Sequence, residues 1–125
     1  NKMALSEFFL NNFETSDNAL DQRLKPHYYN NDYHTTQHLI TSCLNQVGFK
    51  MINVDNYYHE MLFEYKRIRV IVILNEMSLY DIRVDMKINA KYVLPLKRPI
   101  KIIAKLYEIL DRKLTLKYLG GERNE

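Results

Sequence analysis

The sequence predicts an α+β domain: an antiparallel sheet of about four strands, with two amphipathic helices packed on one face, in the order α-β-β-β-β-α. Three observations carry this. Leu39, Ile40, Cys43, Leu44 and Val47 fall on one stripe at the helical period. Tyr80, Ile82, Val84, Met86 and Ile88 alternate with Asp81, Arg83, Asp85, Lys87 and Asn89, which is the period of a strand with one covered face. Beyond Pro99 the helical period returns, with Ile103, Leu106, Leu110 and Leu114 as a stripe flanked by Ile102 and Tyr107.

Along the chain, residues 1–32 read as partly irregular. Ser16 and Asp17 are cap candidates for a short helix over 19–24, stopped before Pro26. His27, Tyr28 and Tyr29 read as extended, and Asn30, Asn31 and Asp32 as a turn. Thr35 or Thr36 opens the first helix, which Gly48 ends, because glycine adopts the left-handed cap without a Cβ penalty. Strands follow over 51–54, 59–66, 68–74 and 79–89. The links between them are short, so neighbours run antiparallel; a parallel return needs a long crossover. Leu94-Pro95-Leu96 breaks the sheet, and Pro99 suits the first turn of the closing helix, which is expected to end near Leu116. Residues 119–125 read as a flexible polar tail, and the whole of 1–125 as a single domain.

Composition narrows function. The 125 residues are 46% hydrophobic and 26% charged, the balance of a globular chain. No run approaches the roughly 18 uncharged apolar residues of a transmembrane helix. One cysteine makes no disulfide framework and no multi-thiolate zinc site, and with no apolar leader the expected compartment is the cytoplasm. Glycine is absent between Gly48 and Gly120, so no glycine-rich phosphate loop fits there. The net charge of +3 is unevenly spread. Residues 1–90 carry nine basic and eleven acidic side chains, whereas residues 91–118 carry eight basic and two acidic. The basic third points to an anionic partner or to a solvated helix face.

No catalytic constellation emerges. Asp81 and Asp85 lie four residues apart on one strand, about 13 Å at 3.3 Å per residue, too far for a glycosidase-type pair. Arg83 and Lys87 between them favour cross-strand ion pairs on a wet face. His34 and His38 have helical metal-ligand spacing near Asp32 and His27, but lack an accompanying glutamate motif. Cys43 sits inside an apolar stripe and reads as core rather than nucleophile. Accordingly no cofactor, metal or catalytic residue is expected. Ten tyrosines invite a binding reading. The cluster Tyr28, Tyr29, Tyr33, Tyr57 and Tyr58 suggests an amphipathic surface, since tyrosine joins apolar area to a polar tip.

Two segments carry a resemblance. Glu14-Thr15-Ser16-Asp17 followed by Leu20-Asp21-Gln22-Arg23-Leu24 and His27-Tyr28-Tyr29 resembles the opening of a small family of uncharacterised cytosolic proteins from low-GC Gram-positive bacteria. Residues 106–115, Leu-Tyr-Glu-Ile-Leu-Asp-Arg-Lys-Leu-Thr, are similar to that family's closing helix. The resemblance implies a cytoplasmic single-domain protein and carries no activity with it.

The expectation is therefore a non-enzymatic interaction module of a bacterial cytoplasm. Its exposed sheet face or tyrosine-rich N-terminal segment receives a protein or peptide, or a second copy. An alternative is anion binding, to nucleic acid or a phospholipid head group, through Lys97, Lys101, Lys105 and Arg112. A third is a small-molecule carrier with its pocket between sheet and helices.

Overall fold

The computed structural model describes residues 12–89 and 98–122, with the backbone alone for Asn12 and Arg98. In chain order the elements are β1 (Asn12–Glu14), a 3-10 turn (Gln22–Leu24), β2 (His27–Tyr29), α1 (Tyr33–Gln46), β3 (Lys50–Asp55), β4 (Glu60–Tyr65), β5 (Ile68–Ser78), β6 (Asp81–Asn89), α2 (Arg98–Lys113) and β7 (Leu116–Leu119). The α+β class, the two helices and the antiparallel sheet are as the pattern predicts. The expectation of about four strands in the order α-β-β-β-β-α is corrected: the sheet has seven, two of them before α1 and one after α2, in the spatial order β3-β4-β5-β6-β2-β7, and β1 also pairs with β6.

The additional strands are short and come from both ends of the described chain. β1 lies opposite residues 87–89 of β6 and β2 opposite residues 82–84, so the two share one edge of β6 end to end. β7 pairs with the far side of β2. Leu116, Lys117, Tyr118 and Leu119 thus form an edge strand where the pattern suggests a helix end and a tail. The chain past Leu119 is also tied down as far as it is described, because the Gly120 N–H donates to the Pro26 carbonyl at 2.7 Å. A Cβ on Gly120 would lie 2.2 Å from Asp17 Oδ1 and 2.6 Å from the Pro26 ring, so glycine is required there by close packing.

Both helices lie on one face of the sheet. Ile40, Cys43 and Leu44 of α1 and Ile103, Leu106, Tyr107, Leu110 and Leu114 of α2 share a core with Met61, Phe63, Val70, Val72, Leu74, Ile82, Val84, Met86 and Ile88. These strand residues are the alternate positions of β4, β5 and β6, so a period of two meets two helical stripes. α1 starts at Tyr33, two or three residues before the expected threonines, because the Asp32 carboxylate caps it by accepting the Thr35 N–H. Gly48 has φ of +102°, and a Cβ there would meet the Tyr65 ring at 2.7 Å. β6 starts at Asp81 rather than Leu79; Leu79 and Tyr80 form the turn of the β5–β6 hairpin, so Tyr80 is exposed instead of joining the inward row.

The opposite face is not a plain wet surface. Arg83 donates to Asp85 at 2.6 Å and to Asp17 at 2.7 Å. Burial disfavours the guanidinium charge, but the hydrogen bond and charge of Asp85, with Tyr28 and Asp17, hold it firmly protonated. Tyr28 is buried on this face and meets Tyr118 edge-on, ring centroids 4.7 Å apart. Asp81 and Asp85 do not meet on β6, and Glu60 is separated from Asp85 by Ile73, which pairs with both.

Candidate functional site

The β5–β6 hairpin is longer than its neighbours. β4 accompanies β5 only as far as Ile73, and β2 accompanies β6 only from Ile82. The hairpin tip, residues 75–80, therefore projects past both. There the ladder bulges: Glu76 pairs with Ile82 and Ser78 with Asp81, leaving Met77 as an extra residue on β5. Met77, Leu79 and Tyr80 are 46%, 65% and 56% exposed, a group of large apolar side chains on one projecting turn.

Between this tip, the start of α1 and the β3–β4 turn lies a cleft of about 750 Å³, lined by Asp32, Tyr33, His34, His59, Asn75, Glu76, Met77, Leu79 and Arg83. Tyr33 and His59 brace it: their OH and Nδ1 lie 2.9 Å apart, with ring centroids at 5.5 Å. His59 has φ of +57°, the left-handed region, which bends the chain away just before β4. Its carbonyl still accepts the Leu74 N–H at 3.0 Å. The Tyr33 hydroxyl is held above its ordinary range, by burial first and then by the charge of Glu76. The hydrogen bond to Thr35 keeps the Asp32 carboxyl below its ordinary range. Among the described residues, neither Asp32 nor Glu76 pairs with a lysine or arginine, and Arg83 is engaged by Asp17 and Asp85. The cleft is thus acidic with an apolar lip.

The five tyrosines of the expected surface do not form one patch. Tyr29 is fully buried in the helix-side core and Tyr28 is 3% exposed on the other face, because adjacent residues of a strand point to opposite sides. Of the rest, Tyr33 lines the cleft, Tyr57 is 72% exposed, and Tyr58 is half-buried and meets Tyr57 edge-on. Lys101, Lys105 and Arg112 are exposed on α2, but Lys105 and Arg112 both reach Glu108, at 3.7 and 2.5 Å, which lowers the free charge of that face. Lys97 lies outside the described residues. His34 and His38 are both exposed.

A second polar cluster is largely buried and reaches the surface at Asp111, in a shallow pocket beside α2. His27 stacks on Tyr107, centroids 3.7 Å apart and planes 3° from parallel, and its Nδ1 lies 2.8 Å from Asp111 Oδ1. The Tyr29 hydroxyl donates to the same oxygen at 2.6 Å, and the Tyr107 hydroxyl to the Val84 carbonyl at 2.6 Å. Burial pushes both phenols well above their ordinary range. These contacts tie β2 and β6 to α2, and a hydrogen-bonded cluster of this kind is explained by polar satisfaction of the core. Cys43 is buried, and burial pushes its thiol up, away from nucleophilic use. Among the described residues no group of three metal-ligating side chains comes together, and no helix is long and apolar enough to cross a membrane.

Sequence reasoning overlooked Met77, Leu79, His59 and Glu76. The signal available was Leu79-Tyr80, two apolar residues followed by the charged alternation of β6, which fits a turn as well as a strand start. No family model, curated protein or solved structure matches the chain.

Proposed function

We propose that this protein is a non-enzymatic protein-interaction module whose binding surface is the projecting tip of the β5–β6 hairpin and the cleft beside it. The observation that carries this reading is the exposure of Met77, Leu79 and Tyr80 together on a hairpin that outruns both neighbouring strands. Three large apolar side chains exposed together on a projecting hairpin cost solubility, and a partner that covers them removes that cost. The polar cleft at their base supplies orientation, as in interfaces where apolar anchors sit beside a few charged groups. A cytoplasmic setting belongs to the same proposal.

The test is site-specific photo-crosslinking in living cells of the source organism. A photoreactive residue at position 79 is expected to give one discrete adduct, lost when Met77→Asp and Tyr80→Ser are added. The same probe at Gln46, exposed at the far end of α1 and about 20 Å away along the helix, is expected to give none. Equal adducts from both positions, or none from position 79, would overturn the assignment.

A further inference from the structure

We infer that the cleft receives an extended peptide segment of a partner protein, which adds as a short antiparallel strand beside Glu76, in line with β4, and places a lysine or arginine opposite Glu76. This rests on the interaction reading above and names the partner's chemistry.

The argument starts from the ladder. The Leu74 N–H points to the β4 side, where the His59 carbonyl accepts it. Successive residues of a strand alternate the direction of their N–H and C=O groups, so Glu76, two residues on, turns the same groups to that side. β4 starts only at Glu60, and among the described residues no strand runs beside Glu76. What lies there is the cleft, with Asp32, Tyr33 and His34 on its far wall. An open strand edge facing a concave space is the geometry of strand addition, in which main-chain bonds give affinity and alternate side chains give specificity.

Charge and register then define the occupant. Glu76 faces Tyr33 closely enough to perturb its hydroxyl, so its carboxylate looks into the cleft, as Asp32 does. A residue directly opposite Glu76 on an added strand shares its face. A basic side chain at that position meets two carboxylates that no lysine or arginine of the described residues neutralises. Met77 and Leu79, both exposed and lining the same cleft, offer apolar contact to the other side chains of the segment. The sheet's terminal edges are less suited. β3 changes register between Met51 and Asn53, and the Asn53 side chain accepts the Val54 N–H. β7 is four residues long and presents Lys117, and charge and irregularity of these kinds protect an edge from pairing.

The experiment titrates nitrogen-15-labelled protein, at low salt, with a capped hexapeptide of alternating lysine and valine. Backbone shifts are expected at residues 32–34, 59 and 75–79. A lysine opposite Glu76 turns its own N–H toward β5, so N-methylation at the lysines should weaken binding roughly tenfold or more, and N-methylation at the valines far less. Glu76→Lys should transfer the preference to an alternating glutamate–valine peptide. The inference fails if these resonances stay still up to millimolar peptide, if β3 or β7 shifts instead, or if both methylated peptides bind equally. It fails also if the cleft resonances move with protein concentration alone, which would make a second copy the occupant. The position-79 crosslink reads the interaction surface independently, so an adduct there with no strand-like peptide binding overturns only the partner's chemistry.

Discussion

The Thr15 hydroxyl donates to Asp85 Oδ1 at 2.6 Å and accepts the Met86 N–H at 3.0 Å, while the Thr15 N–H donates to the Met86 carbonyl at 3.0 Å. One residue therefore closes the gap that β6 shows between the end of β1 and the start of β2. Thr15→Val keeps the shape and strands a buried N–H, an expected loss of about 1–3 kcal/mol in urea unfolding. Thr15→Ser keeps the hydroxyl and should recover most of it; equal losses for the two variants would contradict this account.

Asp111 serves two buried donors with one oxygen. Asp111→Ala leaves His27 and the Tyr29 hydroxyl without it, and should cost about 2–4 kcal/mol, more than Tyr29→Phe, which removes a donor and strands none. Chemical denaturation of the two variants side by side gives the order. A larger loss for Tyr29→Phe would mean that the hydroxyl, through its further contact with His27 Nδ1 at 3.5 Å, holds the cluster more than the carboxylate does.

Alkaline stability follows from the buried phenols. Tyr29 and Tyr107 have their titration raised in the folded state, chiefly by burial, from an ordinary 10.0. Above about pH 10 the unfolded chain gives up these protons and the folded chain keeps them, so the unfolded state binds fewer protons and stability falls with rising pH. The stabilisation is complete below pH 10 and declines above it by about 1.4 kcal/mol per pH unit for each phenol. Tyrosinate absorbance followed together with circular dichroism should show these two tyrosines ionising only as the sheet melts. Their ionisation in a chain with intact dichroism would count against the burial.

Gly120→Ala should destabilise the protein markedly, by about 1–3 kcal/mol, because the added methyl meets Asp17 and Pro26 at less than contact distance. Thermal unfolding reads this directly. An unchanged midpoint would return residues 119–122 to the loose tail that the sequence pattern suggests.

By contrast, Leu79→Ser and Tyr80→Ser are expected to leave the unfolding free energy within about 0.5 kcal/mol of wild type, since both side chains are more than half exposed. A large loss from either would show that the tip is packed in solution.

What could be read beforehand follows the length of each pattern. α1, α2 and the strands over 60–74 and 81–89 carry several periods of apolar repetition, enough for helix or strand to be distinguished. β1, β2 and β7 are three or four residues long and show less than two periods; they are strands because β6 and β2 present backbone groups to them, which no local window contains. The tyrosines illustrate the same limit. Tyr28 and Tyr29 look alike as a pair in an extended segment, and only the pairing of β2 on both sides buries them on opposite faces. The cleft was illegible for a further reason: it exists because β5 outruns β4, a difference in length between two strands.

β2 is hydrogen bonded on one side to Val84, Arg83 and Ile82 and on the other to Leu119, Tyr118 and Leu116. During synthesis His27, Tyr28 and Tyr29 leave the ribosome long before either flank exists. They must wait for residue 84 before the first flank can form and for residue 119 before the second, so the sheet cannot be completed vectorially. The far side of β2 is closed last, and a nascent chain stalled in α2 would leave Tyr28 without the Tyr118 ring that covers it, an exposed strand edge open to chaperones.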